Sequence, residues 1–267
     1  MFIVELDPDH PGFHDRSYRA RRDQIAQIAE TYAGDGPIPE APYTAAEHAV
    51  WRTVKTALAP LHSRFAAREV QAMLERFPLA TGHIPQLATV SSRLRAASGI
   101  RLRSVAGLIT ARDFLAALAA DTFLSTQYIR HASRPWYTPE PDVIHELVGH
   151  AATLADPRVA ELNRQFGRAA LRANDATMTA IERVYWFTLE FGLVREDGEV
   201  RALGAGLLSS VEEIERGVLH TEHRAFDLEA IAATDYSPAD LQPRLFVADG
   251  VEDMFNKTSA WLDRVAG

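Results

Sequence analysis

The chain contains no cysteine. That absence excludes disulfide scaffolds, thiolate nucleophiles, iron–sulfur clusters and cysteine-type zinc sites together, so any metal must be held by His, Asp or Glu. Positive charge is also scarce. Lys and Arg number 28 against 36 Asp and Glu, a formal net charge of −8, which argues against a nucleic-acid partner held through phosphate contacts. No stretch of about 18 apolar residues is present, and the opening MFIVELDPDH breaks its apolar run at Glu5 with no positively charged leader. These readings predict a soluble protein in the cytoplasm with no membrane partner. What is present is the composition of a globular domain. With 47% apolar and 24% charged residues over 267 positions, the chain can bury a sizeable core and is not extensively disordered.

Punctuation by Pro and Gly is short, as in GDGPIPEAP at 34–42, and cannot uncouple two halves, so residues 1–267 read as one domain. A polar-faced helix is expected over 15–33, and Thr44-Ala45-Ala46-Glu47 is a capping-box start for a second, ending at Ala59-Pro60. Further helices are expected at 63–77, 86–98 (stopped by Gly99) and 112–126, with a short strand at 101–107 between the last two. From 177 to 194 the pattern is apolar on nearly every side, which marks a helix within the core. Asp197-Gly198 then turns Leu193–Glu196 onto Glu199–Ala202 as a hairpin. The remainder reads as mostly helical, giving a mainly α fold with a small β component.

Chemistry concentrates in YTPEPDVIHELVGH at 137–150. A zinc protease helix needs two His four residues apart, so that both leave one face. Here His145 and His150 are five apart, which puts them roughly 140° from one another on a regular α-helix. Both can bind one ion only if the helix ends or bends between them, and Gly149 offers the place for a bend. Ordinary hydrogen-bonded histidines are the alternative. Glu190 lies in the aromatic run VYWFTLEFG with no basic residue within one turn. A buried carboxylate needs a cation or a proton. Either Arg183 or a more distant Arg supplies that charge, or His145, His150 and Glu190 occupy one face of a metal, as in non-haem Fe(II) oxygenases.

Longer matches accompany these residues: DHPGF (9–13), YRARR (18–22), HIPQL (83–87), RLRSVAGLI (101–109), RDF (112–114), TQYIRH (126–131), YTPEPD with HELVGH, VYWFTLEFGL (184–193) and GAGLLSS (204–210). In these the chain resembles the pterin-dependent aromatic amino acid hydroxylases, most of all the short bacterial phenylalanine hydroxylases. The resemblance implies a single catalytic domain using Fe(II), a tetrahydropterin such as tetrahydrobiopterin, and dioxygen as co-substrate on a small aromatic amino acid. It makes His145, His150 and Glu190 the metal ligands and places Glu146 beside the metal in a catalytic and pterin-binding role. It implies pterin contacts from Gly107, Leu108, Ile109, Phe114 and Tyr185. For the amino acid it implies Arg130 and Thr138 at the carboxylate, Asp142 holding Arg130, and Pro141, Trp186, Ser209 and Ser210 around the side chain. Phenylalanine, giving tyrosine, is the expected substrate; tryptophan or meta-directed hydroxylation is the alternative. A zinc hydrolase and a non-catalytic binding protein are the competing classes. Three departures stand out. Leu203 replaces a usual Tyr, Leu124 a frequent His, and Ala111 a common Ser. Neither a regulatory domain nor a C-terminal tetramerisation helix is expected, and a monomer follows.

Overall fold

Residues 6–32, 34, 36–238 and 240–266 are described by the computed structural model. The first five residues of the opening, Asp35 in the 34–42 punctuation, Ala33 at the end of the first expected helix and the final Gly267 lie outside them.

The helical half comes first. Helix α1 (Arg16–Glu30) starts at Asp15, whose carboxylate accepts from the backbone of Ser17 and Tyr18. Helix α2 (Ala45–Phe65) opens on the expected capping box of Thr44 and Glu47, but it runs through Pro60 instead of ending there. An interior proline costs about 3 kcal/mol. The buried stripe Trp51, Val54, Leu58, His62 and Phe65 continues past it at helical spacing, and each large side chain buried returns about 1.5–3 kcal/mol. The chain breaks instead at Ala66-Ala67, where the Ala67 amide donates to Ala202 O (2.9 Å), so the helix expected over 63–77 is reduced to α3 (Arg68–Arg76). Helix α4 (Leu87–Ser98) stops at Gly99 as expected.

Strand β1 covers only Arg101–Ser104. The helix expected to reach 126 ends early. Helix α5 (Ala111–Ala119) gives way at Asp121, with φ 55°, to strand β2 (Thr122–Ser125), which pairs in parallel with β1. Helices α6 (Ala152–Leu154), α7 (Pro157–Arg172) and α8 (Asp175–Tyr185) follow. The buried helix expected over 177–194 is α8 plus a π-helical turn, Trp186–Glu190. Strands β3 (Leu193–Glu196) and β4 (Glu199–Ala202) form the expected hairpin. Asp197 and Gly198 both adopt positive φ (51° and 85°), as a turn matched to strand twist requires.

Helices α9 (Ala205–Leu208), α10 (Val211–Leu219), α11 (Leu228–Ala232) and α12 (Val251–Val265) complete the helical part. Strands β5 (Glu222–Ala225) and β6 (Arg244–Ala248) were expected to be helical; they join the hairpin in a sheet of order β4-β3-β6-β5. Strand β5 is exposed throughout and β6 is a short, nearly fully buried run, so neither carries the alternation by which a strand is recognised. One hydrophobic core, reaching from Ile38 to Leu262, packs behind both sheets and the segment that carries HELVGH. No helix among the described residues is long and apolar enough to cross a membrane.

Candidate metal centre

His145–Ala151 is a π-helix. Its backbone hydrogen bonds span five residues, so residues five apart stack over one another and the two histidines share a face without a bend at Gly149. The segment is held at its start by Asp142, whose carboxylate accepts from His145 N (3.1 Å) and whose carbonyl accepts from Glu146 N (3.0 Å). Gly149 serves packing instead, because a Cβ there would lie 2.6 Å from Ala205 O in α9. Gly149→Ala is therefore expected to destabilise by about 1–3 kcal/mol through overpacking, despite Ala's better helix propensity. Thermal unfolding together with metal affinity checks this, and an unchanged or raised Tm would contradict it.

The second π-helical turn places Glu190, with Phe191 N donating to Trp186 O (2.8 Å). The nearest ligand atoms of His145, His150 and Glu190 all lie within 4.8 Å of one another. His150 Nε2 is 3.0 Å from Glu190 Oε1 and His145 Nε2 is 3.5 Å from Oε2. Arg183 does not serve Glu190, since it pairs with Asp235 and donates to Ala232 O. Ser209 Oγ donates to Ala205 O (2.8 Å) and so accepts from His145 Nδ1 (3.1 Å). That bond selects the tautomer whose Nε2 lone pair faces the other two donors. Burial pushes the His145 imidazole down to about 4, keeping it neutral. Burial alone would raise the Glu190 carboxyl and lower His150, but their mutual attraction outweighs it in both. Two imidazoles and an ionised carboxylate with no Lys or Arg partner among the described residues fit a divalent transition metal.

Two cavities meet at this triad, sharing Leu108, Pro141, His145, Trp186 and Glu190 in their walls. The first, about 230 Å³, is also lined by Gly107, Ile109, Phe114, Glu146, His150 and Tyr185, with Ala111 and Leu124. All the expected pterin residues are thus brought together, and two of the three sequence departures fall among them. Phe114 meets Phe123 and Tyr185 at interplanar angles of 86° and 81°, and no ring among the described residues lies flat on it. Tyr185 turns its hydroxyl away, donating to Asn163 Oδ1 (3.1 Å). Glu146 Oε1 accepts from Thr126 N (3.0 Å) and Oγ1 (3.1 Å). Burial raises its carboxyl to about 7, against His150 and Thr126, which lower it.

The second cavity, about 400 Å³, is lined by Arg130, Thr138, Pro141, Trp186, Ser209 and Ser210. Behind it Asp142 takes Arg130 Nε (2.9 Å) and Nη2 (2.8 Å), with both side chains 1% exposed. Sequence reasoning missed four residues here. Trp186 stacks on Tyr236 with centroids 4.3 Å apart and packs against Phe191, and its Nε1 donates to Gln242 Oε1 (3.1 Å). Glu213, buried in the same wall, has its carboxyl raised to about 7 by burial, despite Ser210 and Arg130. The spacing of Glu213 three residues after Ser210 could have marked it. Leu203, the third departure from the family pattern, is packed in the core and lines neither cavity.

Fold and site together define a mainly helical protein with a His/His/carboxylate candidate metal centre set where two cavities meet. The family model of biopterin-dependent aromatic amino acid hydroxylases matches residues 1–266, and the chain belongs to that family. It is 46% identical over 273 aligned residues to human tyrosine 3-monooxygenase, covering 99% of this chain and 51% of that protein. The chain thus spans about half the length of the curated relatives it matches. Among solved structures it is similar to Chromobacterium violaceum phenylalanine hydroxylase with bound iron(III) and 7,8-dihydrobiopterin, at TM-score 0.79 and 29% identity over 90% of each chain. The phenylalanine hydroxylase of Legionella pneumophila matches at TM-score 0.76 and 32% identity, over 84% of this chain and 91% of that one.

Proposed function

We propose that the chain hydroxylates the ring of a free aromatic L-amino acid, with Fe(II) held by His145, His150 and Glu190. A tetrahydropterin serves as reductant and dioxygen as co-substrate. The observation that carries this reading is the placement of the triad at the junction of the two cavities. Iron bound there supplies the centre at which dioxygen is activated with electrons from the pterin. The protein's own part is positioning. Phe114 offers the pterin a ring to stack on, and Glu146, anchored by Thr126 through one oxygen, accepts hydrogen bonds or holds a proton beside it.

At the amino acid, Arg130 spends four of its five N–H donors on Asp142, Pro135 O and Ser209 O. The remaining Nη2 donor and the Thr138 hydroxyl take the substrate carboxylate. Glu213 supplies the counter-charge for the ammonium group. Trp186 is held between Tyr236 and Phe191 and tied to Gln242, so it cannot swing aside to admit an indole, and a single six-membered ring is selected.

L-Phenylalanine, converted to L-tyrosine, is the substrate we assign. Ring hydroxylation of L-tyrosine is the second reading, favoured by the 42–46% identity to proteins named tyrosine 3-monooxygenase. The same proposal treats residues 1–267 as one catalytic domain acting as a monomer in the cytoplasm. Tetrahydropterin oxidation measured with Phe, Tyr and Trp in turn, with products identified, tests the assignment. Tryptophan is expected to fall below phenylalanine in kcat/KM by about 10-fold or more, the range of steric pocket discrimination. A higher value for tryptophan would overturn the argument from Trp186, and a higher value for tyrosine would establish the second reading.

A further inference from the structure

We propose that a third subsite lies beside the cofactor cavity and takes an anionic side chain carried by the tetrahydropterin, a phosphate or a carboxylate. The inference rests on reading the Phe114 cavity as the pterin site. A cleft of about 1080 Å³ adjoins that cavity and shares Val105, Ile109 and Leu124 with it. Arg95, Arg101 and Arg103 line the cleft.

The local structure explains why these side chains converge. Strand β1 alternates, sending Leu102 and Ser104 into the core and leaving Arg101 and Arg103 exposed. Its parallel register sets Arg101 opposite Thr122 and Arg103 opposite Leu124, so both guanidinium groups stand on the sheet face whose far end walls the cofactor cavity. Arg95 comes from the last turn of α4, which leads into β1 through Gly99. Gly34, at φ 91°, gives the Arg103 guanidinium room, since a Cβ there would lie 3.2 Å from Arg103 Cζ.

Charge distinguishes this cleft from an ordinary solvated face. Arg101 Nε donates to Thr122 Oγ1 (2.9 Å), and none of the three arginines forms an ion pair among the described residues. Two carboxylates among the described residues share the lining, Glu30 and Asp113. Asp113 is engaged at the start of its own helix by Thr110 Oγ1 (2.7 Å), and Glu30 accepts from Gln27 Nε2 (3.4 Å) on α1. Among the described lining residues three guanidinium groups stand against these two carboxylates, a formal excess of one positive charge in a chain whose net charge is −8. A pterin with a neutral hydroxylated side chain makes no use of it, whereas a terminal anion gains charge-assisted hydrogen bonds from forked donors.

Equilibrium binding to the iron-loaded protein under anaerobic conditions tests the proposal with three probes: tetrahydrobiopterin, tetrahydroneopterin monophosphate and tetrahydrofolate. At low salt at least one anionic probe is expected to bind about tenfold more tightly than tetrahydrobiopterin, as hydrogen bonds to charged groups allow. The tighter of the two identifies phosphate or carboxylate as the recognised group. The advantage should shrink at high salt through screening and disappear in an Arg101→Gln/Arg103→Gln protein whose affinity for tetrahydrobiopterin stays within about twofold, the change expected when no charged contact is lost. Equal affinity for all three probes, or an advantage that survives the double substitution, would overturn the proposal. If the double variant folds poorly, the salt series on the unsubstituted protein decides instead, and an advantage insensitive to salt would overturn the proposal equally. Failure of tetrahydrobiopterin itself to bind would refute the pterin reading, and this subsite with it.

Discussion

A protein carrying His150→Ala is expected to lose its metal and its turnover together. His150 is one of three donors, and its Nε2 lies 3.0 Å from both Glu190 Oε1 and His145 Nε2. Without it the site keeps one imidazole and one carboxylate, and the Glu190 carboxylate, already buried, retains among the described residues only His145 at 3.5 Å as a partner. Loss of an outer-shell partner typically costs about 10–100-fold in metal affinity or activity, and loss of a direct donor should exceed that. Iron content after Fe(II) reconstitution, measured beside the rate of amino acid hydroxylation, gives the two readouts. Full activity with one iron per chain would sink the assignment of the triad. Reconstitution of the unsubstituted protein with Zn(II) should fill the same donors without restoring turnover, because the proposed hydroxylation needs a metal that changes oxidation state.

Asp142→Ala should produce the largest loss of stability of any single change at the site. The Asp142–Arg130 pair is bidentate and almost fully buried. Burial alone would raise the Asp142 carboxyl, but Arg130 holds it below its ordinary value. Removing the carboxylate leaves a guanidinium uncompensated in the interior, which costs about 3–5 kcal/mol. Two backbone donors, Arg130 N and His145 N, lose their acceptor in the same step, so the start of the π-helix loosens as well. Urea unfolding should show the destabilisation, and whatever folds should have a raised KM for the amino acid, because Arg130 is no longer oriented. Asp142→Asn keeps the shape and part of the hydrogen bonding and is expected to fall between the two. A stability within about 1 kcal/mol of the parent, the scale of a solvent-exposed ion pair, would show that Arg130 finds another partner.

The sequence by itself determined whatever depends on near neighbours along the chain. The capping box at Thr44, the stop at Gly99 and the Asp197-Gly198 hairpin are each set by backbone preferences and hydrogen bonds within a few residues, and all appear where expected. The candidate ligands were legible for a related reason. A Glu in an aromatic helix without a nearby base requires a distant partner, and a His pair five apart beside Gly149 requires an irregular helix. Which irregularity satisfies that requirement was decided only by tertiary structure. The wide π turn is held by Asp142 at one end and by the close approach of Gly149 to α9 along its length.

Longer-range competition settled the rest. Helix α2 passes through Pro60 because its buried stripe outweighs a local penalty, and β2 forms because β1 offers it a partner at a register no local signal specifies. Glu213 reaches the second cavity, and Tyr236 and Gln242 reach Trp186, from segments that sequence spacing does not connect to one another. Leu203, suspicious in the sequence, packs into the core. A side chain's type and its neighbours along the chain restrict what it can do, but which cavity it faces depends on contacts between residues far apart in sequence, and those exist only once the chain has folded.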